Sequence, residues 1–88
     1  MGEAAEKCGV AGVYLSDGNA SPVVYSELLT LSHRGHDGAG ISAYGPSTGF
    51  RGIKGEGKVR DVFAEGRRTE GLPGHVAIGH TRYGTVGS

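Results

Sequence analysis

The chain has 88 residues, enough for one small domain and too few for two. Nine Lys and Arg balance nine Asp and Glu, so the formal net charge at pH 7 is zero; there is no basic run to draw the chain to nucleic acid or an anionic membrane. The eighteen glycines predict a turn-rich architecture with close backbone approaches, or a segment that leans on further chain, because glycine supplies no side chain to pack.

The first seven residues, MGEAAEK, lack the apolar core of a secretory signal. Residues 8–15, CGVAGVYL, read as a strand: Val10, Val13 and Leu15 favour extended backbone, and the small Gly9, Ala11 and Gly12 admit another layer at close range. SDGNASP is a turn cluster. Ser21 and Pro22 follow as N-cap and first helical residue, with Val24, Leu28 and Leu31 at helical spacing and an expected end near His33 to Gly35.

Residues 38–44 form a second strand. GPSTG turns the chain, and residues 50–54 return as the other arm of a hairpin. KVRDVFAE places Val59, Val62 and Phe63 on one face of a second helix, GRRTEGLPG reads as a loop with a helical turn, and residues 75–80, HVAIGH, as another apolar strand. The order strand, helix, strand, strand, helix, strand predicts a layered α+β fold. Nothing covers the last strand before the sequence stops, so truncation is expected. No apolar run approaches the ~20 residues needed to span a bilayer, and one cysteine cannot make an internal disulfide. The expected setting is the cytoplasm, with no membrane and no nucleic acid as partner.

Cys8 is the sole cysteine, and most free cysteines are small buried hydrophobes. A sharper reading follows if residues 1–7 are removed. Cys8 then owns an α-amine with a pKa of about 7.7–8.0 beside a thiol near 8.5. Nucleophile and general base would share one residue. HRGHDGAG gathers His33, Arg34, His36 and Asp37 between helix and strand; a polar loop explains it, and metal ligation by the two histidines and the aspartate competes weakly, since no recognised spacing is completed. His75 and His80 bracket the last strand and are expected on opposite faces.

In HTRYGT, Arg82 offers a guanidinium fork for a carboxylate and Thr85 a hydroxyl; a surface arginine paired with an acidic neighbour is the plainer alternative. GIKGEGK, from Gly52 to its final Lys58, fits most of a phosphate-binding P-loop, although Val59 stands where Ser or Thr would bind magnesium.

CGVAGVYL, LSHRGHDGAGI, GKVRDVF and AIGHTRYGTVGS, in that order, resemble the N-terminal glutaminase domain of the amidophosphoribosyltransferases, class II glutamine amidotransferases of the N-terminal-nucleophile hydrolase type. The resemblance runs from Cys8 onward. It implies part of an α-β-β-α sandwich, with residues 1–7 as a propeptide and residues 8–88 as the first part of the amidotransferase domain. Cys8 matches the nucleophile, and Arg34 and Gly35 the loop lining it. Arg82 matches the holder of the glutamine α-carboxylate, Thr85 lies in the same pocket, and Tyr83 beside it.

The resemblance also implies glutamine hydrolysis, with ammonia passed to a second domain that uses phosphoribosyl pyrophosphate in purine synthesis. It implies no cofactor or metal for this chain, Mg²⁺ only for the phosphoribosyltransferase domain, and a homo-oligomeric full-length enzyme. Ser32 and His36 stand where the family usually has Gln. The sequence stops before the family's Asn-Gly oxyanion hole and before the acidic residue for the substrate ammonium, so the expected activity of these 88 residues alone is negligible. The competing expectations are a phosphate- or nucleotide-binding module built on residues 52–58, and a non-catalytic remnant.

Overall fold

A computed structural model describes residues 8–31 and 37–82. The elements run β1 (Cys8–Tyr14), α1 (Ser21–Leu31), β2 (Gly38–Gly45), β3 (Gly49–Glu56), α2 (Val59–Val62), a 3₁₀ segment (Ala64–Gly71) and β4 (Val76–Arg82). The chain order is the one expected. The strands form a single antiparallel sheet in the spatial order β1-β4-β2-β3. The helices pack on one of its faces, with α1 lying across β1, β4 and β2 and α2 beside β2 and β3. The described residues thus make one helical layer and one sheet, half of an α-β-β-α sandwich.

The register explains which residues are buried. On the helix-covered face, Ala11, Gly79 and Ile41 align as cross-strand partners, flanked by the rows Val13–Ala77–Ala43 and Gly9–Thr81–Ala39. Ile41, Ala39, Ala43, Ala77 and Thr81 are all buried there against Val24 and Leu28 of α1. Small side chains in this face let the helix sit low. Gly79 is the contact point: a Cβ there would lie 2.5 Å from Val24 Cγ1 and 2.9 Å from Leu28 Cδ1. Burying a side chain the size of Leu28 contributes roughly 1.5–3 kcal/mol.

The hairpin between β2 and β3 closes at Gly45 and Gly49. Gly49, the first residue of β3, takes a φ of 72°, a left-handed geometry that glycine enters without steric cost. β3 begins earlier and ends later than expected, and β4 runs on to Arg82.

Three local expectations are corrected. Ser21 is the first residue of α1 and not its N-cap. Val24 N–H donates to the Ala20 carbonyl, while the buried Ser21 hydroxyl reaches across to the carbonyls of Thr69 (3.2 Å) and Leu72 (2.9 Å). It ties the start of α1 to the 3₁₀ segment. The described part of α1 ends at Leu31, and the predicted end at residues 33–35 lies outside the described residues.

The second helix is a single turn. Val59, Val62 and Phe63 are buried as the spacing predicts, but the chain leaves the helix at Phe63 and passes through positive φ at Ala64 (51°), Glu65 (57°) and Gly66 (98°). Arg68 Nη1 donates to the freed Val62 carbonyl at 2.7 Å. Tyr25 of α1 meets the Phe63 ring edge-on, with centroids 6.1 Å apart. This aromatic pair and the Ser21 hydroxyl hold the irregular segment to the helix, so tertiary contacts override the helical pattern.

The P-loop reading of residues 52–58 is also overturned. Gly52 to Glu56 lie in β3, paired residue by residue with β2, so their backbone belongs to a sheet ladder and does not wrap a phosphate. Only Gly57 turns, with a φ of 114°. Among the described residues no helix is long and apolar enough to cross a membrane.

Candidate active site

Among the described residues, no helix covers the sheet's other face. Its residues fall in four rows set by the register: Cys8–Arg82–Gly38–Glu56, Val10–His80–Gly40–Lys54, Gly12–Ile78–Ser42–Gly52 and Tyr14–Val76–Tyr44–Phe50, read from β1 through β4 and β2 to β3. The first two rows are charged toward β3 and the last is aromatic. At the charged end, Cys8 and Arg82 are direct cross-strand partners, which sets their Cα atoms about 4.5–5.5 Å apart. Arg82 is paired on its other side with Gly38. Beyond the ladder the backbone is still tied: Asp37 N–H donates to the Arg82 carbonyl and Gly57 N–H to the Asp37 carbonyl, both at 2.7 Å.

Glycines in β2 shape this end. The Arg82 side chain passes over Gly38, its Nε 4.0 Å from where a Cβ would stand. The His80 ring lies over Gly40, its Cε1 only 2.7 Å from a Cβ built there, with Lys54 Cβ at 3.1 Å. Both glycines are buried although they belong to the open face, because these side chains fold across them. A cleft of about 430 Å³ results, lined by Gly38, Ala39, Lys54, Gly55, Glu56, His80 and Arg82. A second hollow of about 300 Å³ adjoins it along Gly40, Ser42 and Gly52 and shares Lys54 and His80.

A guanidinium, an ammonium and an imidazole therefore surround a shallow, glycine-floored cleft with one carboxylate at its rim. Such a site grips a small anion such as a carboxylate. Thr81, beneath it on the covered face, is 1% exposed, and its hydroxyl has no hydrogen-bond partner among the described residues.

The chain matches no protein-family model. Its likeness to individual proteins is close. It is 46% identical over 83 residues to amidophosphoribosyltransferase 2, chloroplastic, of Arabidopsis thaliana, a match covering 94% of this chain and 14% of that protein. It is also 46% identical over 85 residues to the amidophosphoribosyltransferase of Pyrococcus horikoshii, covering 94% of this chain and 17% of the relative. The fold matches the glutamine phosphoribosylpyrophosphate amidotransferase of B. subtilis, solved with ADP and GMP, with a TM-score of 0.73 and 36% identity over 85% of this chain and 16% of that one.

The chain is a homologue of one part of the amidophosphoribosyltransferases. A second solved structure, described as the allosteric regulatory enzyme of purine biosynthesis, superposes with a TM-score of 0.72 at 36% identity, over 90% of this chain and 16% of its own. The chain spans 14% to 17% of the length of the amidophosphoribosyltransferases quoted above. The half-sandwich is the N-terminal-nucleophile hydrolase fold of this family, as the resemblance implies.

Of the residues singled out in the sequence, the structure brings Cys8 and Arg82 together. Arg34, Gly35, Tyr83 and Thr85, the candidate metal ligands His33 and His36, and residues 1–7 lie outside the described residues. His75 and His80 do not share a strand. His75 precedes β4 and its Nδ1 lies 3.0 Å from the Gly18 carbonyl oxygen, whereas His80 lines the cleft. Among the described residues no group of three His, Cys, Asp or Glu side chains converges on a metal position.

Lys54 and Glu56 enter the sequence reading only within the P-loop pattern, and Gly38 and Gly40 only within HRGHDGAG and the second strand. Alternation along residues 50–56 would have set Lys54 and Glu56 on one face. Only the β2–β3 and β2–β4 registers bring that face beside Arg82.

Proposed function

We propose that this chain is the nucleophile-bearing part of a glutamine-hydrolysing domain, with Cys8 as nucleophile and Arg82 as the grip for the α-carboxylate of glutamine. The observation that carries the reading is the direct pairing of Cys8 with Arg82 across β1 and β4. A guanidinium beside the nucleophile's strand position can hold the substrate by its α-carboxylate while the side-chain amide reaches the sulfur.

In this reading residues 1–7 are a propeptide. Their removal turns the Cys8 amide nitrogen into an amine with a pKa of about 7.7–8.0, which accepts the thiol proton. The thiolate attacks the side-chain amide carbon of glutamine. The C–N bond breaks, the amine returns a proton to the leaving nitrogen, and ammonia departs, leaving a glutamyl thioester. Water attacks the thioester to give glutamate and the free thiol. The family resemblance assigns Arg34 and Gly35 to the nucleophile's loop, and Tyr83 and Thr85 to the glutamine pocket.

Two groups come from elsewhere in this scheme: the oxyanion donors, commonly worth about 10²–10³ in rate, and the acidic residue for the substrate ammonium. The remainder of the amidotransferase domain would seat on the open sheet face, where Val10, Tyr14, Ile78 and Phe50 are 59–80% exposed and so invite an apolar cover. The ammonia then displaces pyrophosphate from phosphoribosyl pyrophosphate on a phosphoribosyltransferase domain, whose Mg²⁺ has no step in this segment. The complete enzyme is a cytoplasmic homo-oligomer in this proposal.

The test is mass spectrometry of the purified protein and of its adduct with diazo-oxo-norleucine, an electrophilic glutamine analogue. The reading expects a chain beginning at Cys8 and a single adduct on that residue. A cysteine that a simple thiol reagent modifies and the analogue never does, even when the chain is extended through the rest of the amidotransferase domain, overturns it.

A further inference from the structure

The cleft beside Arg82 carries more positive charge than one arginine. Lys54 and Arg82 line the same space of about 430 Å³, with Glu56 as its single carboxylate. Glu56 stands two residues from Lys54 on β3 and, across Gly38, in the row of Arg82. It brings one negative charge to a cleft that holds two positive ones. The floor beneath the cleft is Gly38 and Gly40, the second of them covered by the His80 ring.

Resting on the proposed glutamine site, the geometry points to Lys54 as a second binding residue for the substrate α-carboxylate, the group that keeps the seat net positive while Glu56 is ionised. Without Lys54, Arg82 and Glu56 cancel, and an incoming carboxylate must compete with Glu56 for the guanidinium. With Lys54 present, one cation remains for the ligand whichever partner Glu56 takes. Lys54 starts close to the glycine floor: its Cβ lies 3.1 Å, and His80 Cε1 2.7 Å, from where a Cβ on Gly40 would stand. The three charged residues are solvent-exposed, so the effect is modest and screened by salt.

The experiment is a titration of the isotopically labelled chain, followed by NMR, with L-glutamine and with L-glutaminol, which lacks the α-carboxylate. Lys54→Gln is expected to weaken L-glutamine binding about two- to five-fold at low salt, the range set by exposed ion pairs, and to leave L-glutaminol unchanged. Adding Glu56→Gln to Lys54→Gln is expected to restore L-glutamine binding, a rescue that damaged folding would not give.

If Lys54→Gln changes nothing while Arg82→Gln weakens binding, the role of Lys54 is overturned and the glutamine site stands. A Lys54→Gln loss that Glu56→Gln does not rescue also overturns it. If Arg82→Gln has no effect, or if L-glutamine fails to bind even when the chain is extended through the rest of the amidotransferase domain, the glutamine site itself is overturned.

Discussion

Cys8 and Arg82 stand opposite each other on adjacent antiparallel strands although 73 residues lie between them in the sequence, from Gly9 to Thr81. β4 is the middle strand that makes this possible, pairing with β1 on one side and β2 on the other. The first described residue is thereby held against the last, and the arginine's other flank is an open, glycine-floored cleft.

Replacing Arg82 therefore has a specific signature. Charge-assisted hydrogen bonds contribute about 1.5–3 kcal/mol, so Arg82→Ala is expected to slow adduct formation by the glutamine analogue roughly 10- to 150-fold. Labelling of Cys8 by a small uncharged thiol reagent should be nearly unchanged. The ratio of the two labelling rates checks this, and an equal loss in both would point to disturbed structure.

Gly79 is the point of closest approach between α1 and the sheet. Gly79→Ala forces a methyl group to within 2.5 Å of Val24 Cγ1 and 2.9 Å of Leu28 Cδ1, and such overpacking costs about 1–3 kcal/mol. Urea unfolding should show a lower midpoint. Combining Gly79→Ala with Val24→Ala should recover part of the loss, because the first methyl then has room.

Ser21→Ala removes a buried donor shared by two carbonyls, those of Thr69 and Leu72. Leaving such acceptors unpaired costs about 1–3 kcal/mol. The expected result is a lower unfolding midpoint, with amide exchange accelerated first in residues 64–72. Uniform acceleration across the sheet would contradict the role of this hydroxyl as a local tie.

The open sheet face should limit solubility. Phe50 is 80% and Ile78 59% exposed, and both belong to the face that lacks a helical cover. The double substitution Phe50→Lys and Ile78→Lys is expected to reduce concentration-dependent association, measured by light scattering, with little change in the unfolding midpoint. Neither side chain is part of the buried core, so a large destabilisation would refute this assignment.

The elements themselves were legible in the sequence because local patterns encode them. Val24 and Leu28 at helical spacing located α1, GPSTG located the hairpin, and the apolar run HVAIGH located β4. The second helix misled because Val59, Val62 and Phe63 satisfy a helical period over a single turn. What bends the chain afterward is the Tyr25–Phe63 contact and the Ser21 tie, partners far away in sequence. The P-loop pattern misled for a related reason: glycines that suit a phosphate loop also suit a strand over which neighbouring side chains fold.

The amino-acid sequence by itself determined the kinds of element, their order, the single cysteine near the start and the arginine that follows the last apolar strand, since propensity and periodicity act over a few residues. The order of strands in the sheet belongs to the tertiary structure alone. Placing β4 between β1 and β2 is a matter of non-local hydrogen bonding and of the low seat that Gly79 offers α1. That choice sets Arg82 beside Cys8 and brings Lys54 and Glu56 to the same cleft.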